Sequence, residues 1–167
     1  MTGALALLLF VTAQRALELV HARRNTARLL ARGAVEIAPG HYPLIVALHA
    51  AWLATLWWLG AGQSLSAPWL AVYAVLQVLR VWILASLGDR WTTRIIVLPG
   101  ADLVRRGPYR WLRHPNYTLV VAEIAVLPLA LHLPWVALAF SALNALALTI
   151  RIRAEGRALR PDRIPAQ

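Results

Sequence analysis

Hydrophobic and polar positions divide the chain into five apolar runs, about residues 2–20, 43–60, 67–88, 117–131 and 134–150. A helix needs about 20 apolar residues to cross a bilayer. The pattern therefore predicts an all-α integral membrane protein of one domain, residues 1–167, with five transmembrane helices. The last two runs are joined only by "LHLP" and predict a tight antiparallel hairpin. Both are short, which implies little tilt or a locally thinned bilayer. The first run could pass for a secretion signal, but it lacks a basic start and a convincing cleavage site. It is read as a retained span.

What lies between the runs is uneven. The connections "AGQSLS" and "LHLP" hold no arginine. The segment after the first run holds Arg23, Arg24, Arg28 and Arg32, and the segment after the third holds Arg90, Arg94, Arg105, Arg106, Arg110 and Arg113. The tail adds Arg151, Arg153, Arg157, Arg160 and Arg163. Basic residues mark the cytoplasmic side. Five spans then put the amino terminus outside and the carboxy terminus inside, in the cytoplasmic (inner) membrane. The long stretch "DRWTTRIIVLPGADLVRRGPYRWLRHPN" exceeds a simple connection. Within it "TTRIIVLPGADLV" predicts two short extended pieces around a turn at Pro99 and Gly100.

Composition agrees with the membrane reading. Of 167 residues 60% are hydrophobic and 14% charged, against about a quarter charged in soluble domains. A net charge of +10 suits a nucleic-acid binder only as a basic face on a soluble domain. These arginines lie between apolar runs, so no nucleic-acid partner is expected. There is no cysteine, hence no disulfide and no thiolate metal site, and no metal is expected. Every basic residue is arginine and none is lysine. Guanidinium recognition of phosphate or carboxylate is one reading, and a codon bias toward Arg, Ala and Leu is the plainer one.

Ionisable residues inside spans mark functional sites by default. Counted inward from the arginine-rich side, Arg15, His49, Arg80, Glu123 and Asn144 fall at similar depth, roughly 9–12 Å at 1.5 Å per residue. They predict either a pocket for the polar head of a lipid-like molecule or structural pairing, Arg15 with Glu18 and Arg80 with Glu123.

The densest chemistry lies in "RGPYRWLRHPNYTLVV". Pro108 and Pro115 deny helix before Asn116, which is then a candidate N-cap. Tyr109, Trp111 and Tyr117 suit a membrane interface. An anchor belt explains each residue type, but not the placement of His114 and Pro115.

The motif "GPYRWLRHPNY", a helical hairpin and then "RIRAEGRAL" closely resemble the isoprenylcysteine carboxyl methyltransferase family, relatives of membrane phospholipid methyltransferases. The likeness covers about residues 88–160. The front part, "ELVHARRNTARLLARGAVEIAPGHYPLIVALHA", resembles a bacterial branch associated with type III polyketide synthases that O-methylates alkylpyrones or alkylresorcinols. The resemblance implies an S-adenosylmethionine-dependent methyltransferase acting on a lipid-like acceptor. It implies that the strand Ala101, Asp102, Leu103 and Val104 lines the cofactor with its backbone. Tyr109 would contact the cofactor, His114, Pro115, Asn116 and Tyr117 would hold it, and Glu155 would bind it from the other side. Arg151 matches the family's substrate-orienting arginine. The family usually shows paired acids after this arginine, whereas here Gly156 follows Glu155. The buried polar tier, apart from the resemblance, offers Glu123, Arg80, Asn144 and His49 as substrate contacts, and Glu123 or His114 as a catalytic base for a phenolic acceptor. Other acceptors, a prenylated cysteine carboxylate or a phospholipid amine, belong to the same chemistry. A small transporter or ion-binding subunit is the rival from another class, suggested only by the buried charges.

Overall fold

The computed structural model describes residues 2–37 and 39–158. Its main elements are five helices, α1 (Thr2–Ala31), α2 (Tyr42–Gly60), α3 (Ala67–Leu87), α4 (Pro115–Ala130) and α5 (Pro134–Ala158). A two-stranded antiparallel ribbon, β1 (Val35–Glu36) with β2 (Ile96–Val97), pairs Val35 with Val97 and Glu36 with Ile96.

Four of the helices, α1, α2, α3 and α5, are long and apolar enough to cross a membrane. α4 has 16 residues, about 24 Å at 1.5 Å per residue, against a hydrocarbon core of about 30 Å. It is packed between α3 and α5 and buries Leu119, Glu123, Ile124, Val126, Leu127 and Ala130. Among the large exposed apolar residues only Val121 belongs to α4. The other helices present Leu9, Leu17, Trp58, Val78, Trp135 and Leu146 outward, as lipid-facing surfaces do.

The bundle has two ends. Ser66 N–H donates to the Ala130 carbonyl at 2.9 Å, so the two arginine-free connections meet at one end. A Cβ on Gly3 would lie 3.2 Å from Leu65, which puts the start of α1 there too. At the other end the Asn25 amide donates to the carbonyls of Gly88 and Trp91.

Local chemistry sets the boundaries, and three differ from the sequence reading. The first apolar run ends near residue 20, but α1 continues to Ala31. It stops where Gly33 turns to φ +87°, with Gly33 N–H on the Leu30 carbonyl and Ala34 N–H on Leu29. That is a Schellman cap. α4 starts one residue before Asn116: His114 is its N-cap and Pro115 its first residue, where a missing N–H costs nothing. Asn116 is therefore inside the first turn. Of the two extended pieces, only Ile96–Val97 finds a strand partner. Residues 101–104 have no strand partner and form no regular secondary structure. The turn between the pieces forms at Pro99 and Gly100, with Ala101 N–H on the Leu98 carbonyl at 3.2 Å and Gly100 at φ +73°. Proline followed by a left-handed glycine is the type II pattern.

Candidate functional site

A buried network of charges joins three helices. Glu123 on α4 is fully buried and accepts from Arg80 Nε at 2.8 Å, Arg80 Nη2, Arg15 Nη2 at 2.7 Å and Gln77 Nε2 at 3.0 Å. Glu18 accepts from Arg80 Nη1 at 2.8 Å and Arg15 Nη1 at 3.3 Å. Gln14 bridges Glu18 and Gln77 at 3.1 and 2.7 Å. Both pairs suggested by the sequence form, and they also cross over. Two arginines balance two carboxylates, as burial requires. His49 and Asn144 are not bonded into this network. The His49 Nδ1 faces its own helix's Ile45 carbonyl at 2.8 Å, and Asn144, 2% exposed, leaves its Nδ2 without a partner among the described residues.

A second cluster lies nearer the arginine-rich end. Arg151 on α5 donates from Nε to the Tyr117 hydroxyl at 2.8 Å and from Nη1 to the Thr93 carbonyl at 2.9 Å. Its guanidinium lies over the Tyr117 ring at 5.3 Å from the centroid, and His114 stacks on that ring at 5.0 Å. Thr93 Oγ1 bonds to the Tyr42 hydroxyl at 3.1 Å. Arg94, next in the chain, sits over the Tyr42 ring and bonds Glu36 through Nη1 at 2.8 and 3.0 Å. That carboxylate holds the Arg94 guanidinium above its usual range. No bond to Arg151 Nη2 is formed among the described residues. Counted by helical rise from Tyr117, Glu123 lies about 9 Å further in, and from Arg151 Asn144 lies about 10 Å further in.

The loop between α3 and α4 is fastened to α3. Gly107, at φ +56°, packs so closely that an added Cβ would collide with Ser86 Oγ and lie 3.2 Å from Trp82 Nε1. Arg106 Nε donates to the Ser86 carbonyl at 2.7 Å, Trp111 meets Trp82 edge-on, and Arg90 donates to the Asp102 carbonyl. Tyr109 packs partly buried against the apolar core. Asn116 places a buried Oδ1 that has no partner among the described residues. Residues 101–104, outside the ribbon, keep backbone groups free of strand pairing, with Leu103 exposed. The backbone of Glu155 continues α5 one turn after Arg151, and its side chain lies outside the described residues.

The structure thus brings Arg151, Tyr117 and His114 together, and separately Glu123 with Arg80. Sequence reasoning missed Tyr42 and Thr93, which hold Arg151 from positions far along the chain. It also missed Gln14, Gln77 and Asn25. For Asn25 a signal existed: it shares a helical stripe with Ala22 and Leu29 and is fully buried.

Residues 69–161 match the isoprenylcysteine carboxyl methyltransferase (ICMT) family. The uncharacterized protein YpbQ of Bacillus subtilis (strain 168) is 38% identical over 166 residues, covering 92% of this chain and 94% of that protein. An uncharacterized protein of Haemophilus influenzae is 26% identical over 142 residues, 81% of this chain and 83% of that one. No solved structure matches. With a matched segment that holds Arg151, Thr93, α4 and the loop before it, the chain belongs to the isoprenylcysteine carboxyl methyltransferase family, whose work is methyl transfer at membranes.

Proposed function

We propose that the protein is an S-adenosylmethionine-dependent O-methyltransferase acting on the acidic oxygen of a lipid-like acceptor at the membrane surface. The observation that carries this is Arg151. Two of its donors are spent on Tyr117 and Thr93, and Nη2 is left for a ligand. A guanidinium anchored in this way can hold an oxygen anion in line with a methyl donor.

The residues present suit the cofactor. S-adenosylmethionine is rich in donors and carries a cationic ammonium, and Asn116 Oδ1 is a buried acceptor without a partner among the described residues. Apart from the Ala101 N–H and the Asp102 carbonyl, which bond Leu98 and Arg90, the backbone of Ala101, Asp102, Leu103 and Val104 would be open to a ligand, with Tyr109, His114, Pro115 and Tyr117 further along the chain and Glu155 on α5. The bound cofactor would supply an electrophilic methyl group on a sulfonium. The chain's own part is to hold the acceptor oxygen at Arg151, to exclude water around it and to fix its direction. Opposite charges neutralise in such a transfer, so a low-polarity surround favours it.

Two acceptor classes meet these requirements. An alkylpyrone of polyketide type arrives as an acidic hydroxyl, and the front of the chain resembles the branch that uses such lipids, which links it to a type III polyketide synthase as partner. A prenylated cysteine arrives as a carboxylate and is the acceptor in the family's description. A resorcinol hydroxyl, with a pKa of about 10, would need a base. Glu123 has four donors on its two oxygens, so His114 is better placed. Arg80, Glu123, His49 and Asn144 would line the inner wall toward the acceptor tail. The transporter reading loses its support, since the buried charges that suggested it pair with one another.

The five-span arrangement, outside to inside in the cytoplasmic membrane, belongs to the same proposal. Both arginine-free connections lie at one end of the bundle, which supports it. The test is a panel of alkylpyrone, alkylresorcinol, prenylcysteine and phospholipid acceptors, offered with labelled methyl donor to the purified protein. Label on an oxygen of one acceptor class is expected. Label only on a phospholipid amine, or on none of the panel, rejects the proposal.

A further inference from the structure

Where α1 continues past its apolar part, it forms one wall of an open cavity of about 220 Å3 beside the Arg151 cluster. Arg23, Thr26 and Leu30, spaced along one face of the helix, line it on one side. Tyr42, Thr93 and Arg94 line it on the other. Five of its seven lining residues precede residue 69, where the family match begins.

The donors in this cavity are uncommitted. Arg23 and the Thr26 hydroxyl take part in no hydrogen bond or ion pair among the described residues. Arg94 spends Nη1 on Glu36 and is steadied by the Tyr42 ring 4.7 Å away, so its remaining N–H groups keep a fixed direction. Among the described residues that line the cavity there is no carboxylate, and Glu36 meets Arg94 from outside the lining. Two guanidiniums and a hydroxyl line it from two walls, a donor set that suits an oxyanion with several acceptor oxygens, such as phosphate. Ala27 and Leu30 add an apolar side, where the carbon skeleton of an ester could rest.

We propose that this cavity is a phosphate-binding site, taking either the phosphate of a lipid headgroup or free phosphate. Its position, just beyond the last apolar residues of α1, is where a headgroup would be met. Arg23 and Thr26 take no part in the Arg151 cluster, whereas Tyr42 and Thr93 line the cavity and also support Arg151, so the test reads ligand binding rather than turnover.

Isothermal titration tests it on the full chain in a neutral maltoside detergent. The probes are short-chain phosphatidylglycerol and, separately, inorganic phosphate. Saturable binding of about one equivalent is expected, weakened at least tenfold by Arg23→Gln and several-fold by Thr26→Ala, with the thermal midpoint unchanged. Arg24→Gln removes an equal exposed charge from the same helix outside the cavity and should change binding less than twofold. Tighter binding of the lipid assigns the headgroup, and equal or tighter binding of inorganic phosphate assigns the free ion. Absence of saturable binding by either probe overturns the site. So does an equal loss in Arg24→Gln, which would reduce it to diffuse attraction.

Discussion

Arg151 has five N–H donors, and the way they are shared out predicts its behaviour. Arg151→Ala should leave cofactor affinity within a few-fold but lower turnover by about two orders of magnitude, since it removes the positioning of the acceptor anion. Arg151→Lys should recover only part, because an ammonium cannot bond Tyr117 and Thr93 and still offer a planar fork. Glu155→Ala should chiefly weaken cofactor binding, by roughly 1.5–3 kcal/mol for a charged hydrogen bond. Titration calorimetry and steady-state rates on the three variants check this. Full activity in Arg151→Lys would reduce the arginine to a surface anchor. The sequence made Arg151 and Glu155 visible because both lie in one short motif. Tyr42 and Thr93 carried no such signal: the partners that Thr93 ties together sit 51 residues before it and 58 after. Only folding makes them neighbours.

Among the elements, α1 depends most on polar bonds. Its buried stripe runs through Ala4, Leu8 and Val11, then resumes at Ala22, Asn25 and Leu29. Gln14, Arg15 and Glu18 fill the gap and reach α3 and α4 through the charge network. Removing one member leaves a buried charge uncompensated, at a cost of about 3–5 kcal/mol. Glu123→Gln should therefore lower the thermal midpoint in detergent sharply. The paired change Arg80→Met with Glu123→Leu leaves Arg15 and Glu18 matched and should recover most of the loss. A single variant as stable as the parent would show that the network contributes little. The charge pairs were legible from their spacing, whereas the true length of α1 was not. Hydropathy ends at the first charges after Val20, but the helix ends only where Gly33 can take a positive φ. Likewise, the short α4 reads as a span by composition, but its 16 residues fall short of the four longer helices, and it lies packed between α3 and α5.

For the whole molecule, the arginine asymmetry predicts that reporter fusions after Gln63 and after Gln167 lie on opposite sides of the membrane. Two cytoplasmic reporters would end the five-span reading. The broad architecture was legible because bilayer burial writes itself into composition; of the ribbon, Ile96–Val97 fell in an expected extended piece, while its two-residue partner Val35–Glu36 left no periodicity to read. The link from Tyr42 through Thr93 to Arg151 bears on how such proteins can be exchanged in parts. The family match begins at residue 69, yet one fixed point of the arginine's support, the Tyr42 hydroxyl, comes from outside it. The matched segment is therefore not a self-contained cassette. A chimera that keeps residues 69–167 but takes its front from a relative lacking a hydroxyl at this position would retain every family motif and still let the Thr93 loop drift. Its turnover should fall several-fold at unchanged cofactor affinity, as in Tyr42→Phe, and restoring that one tyrosine in the chimera should bring it back.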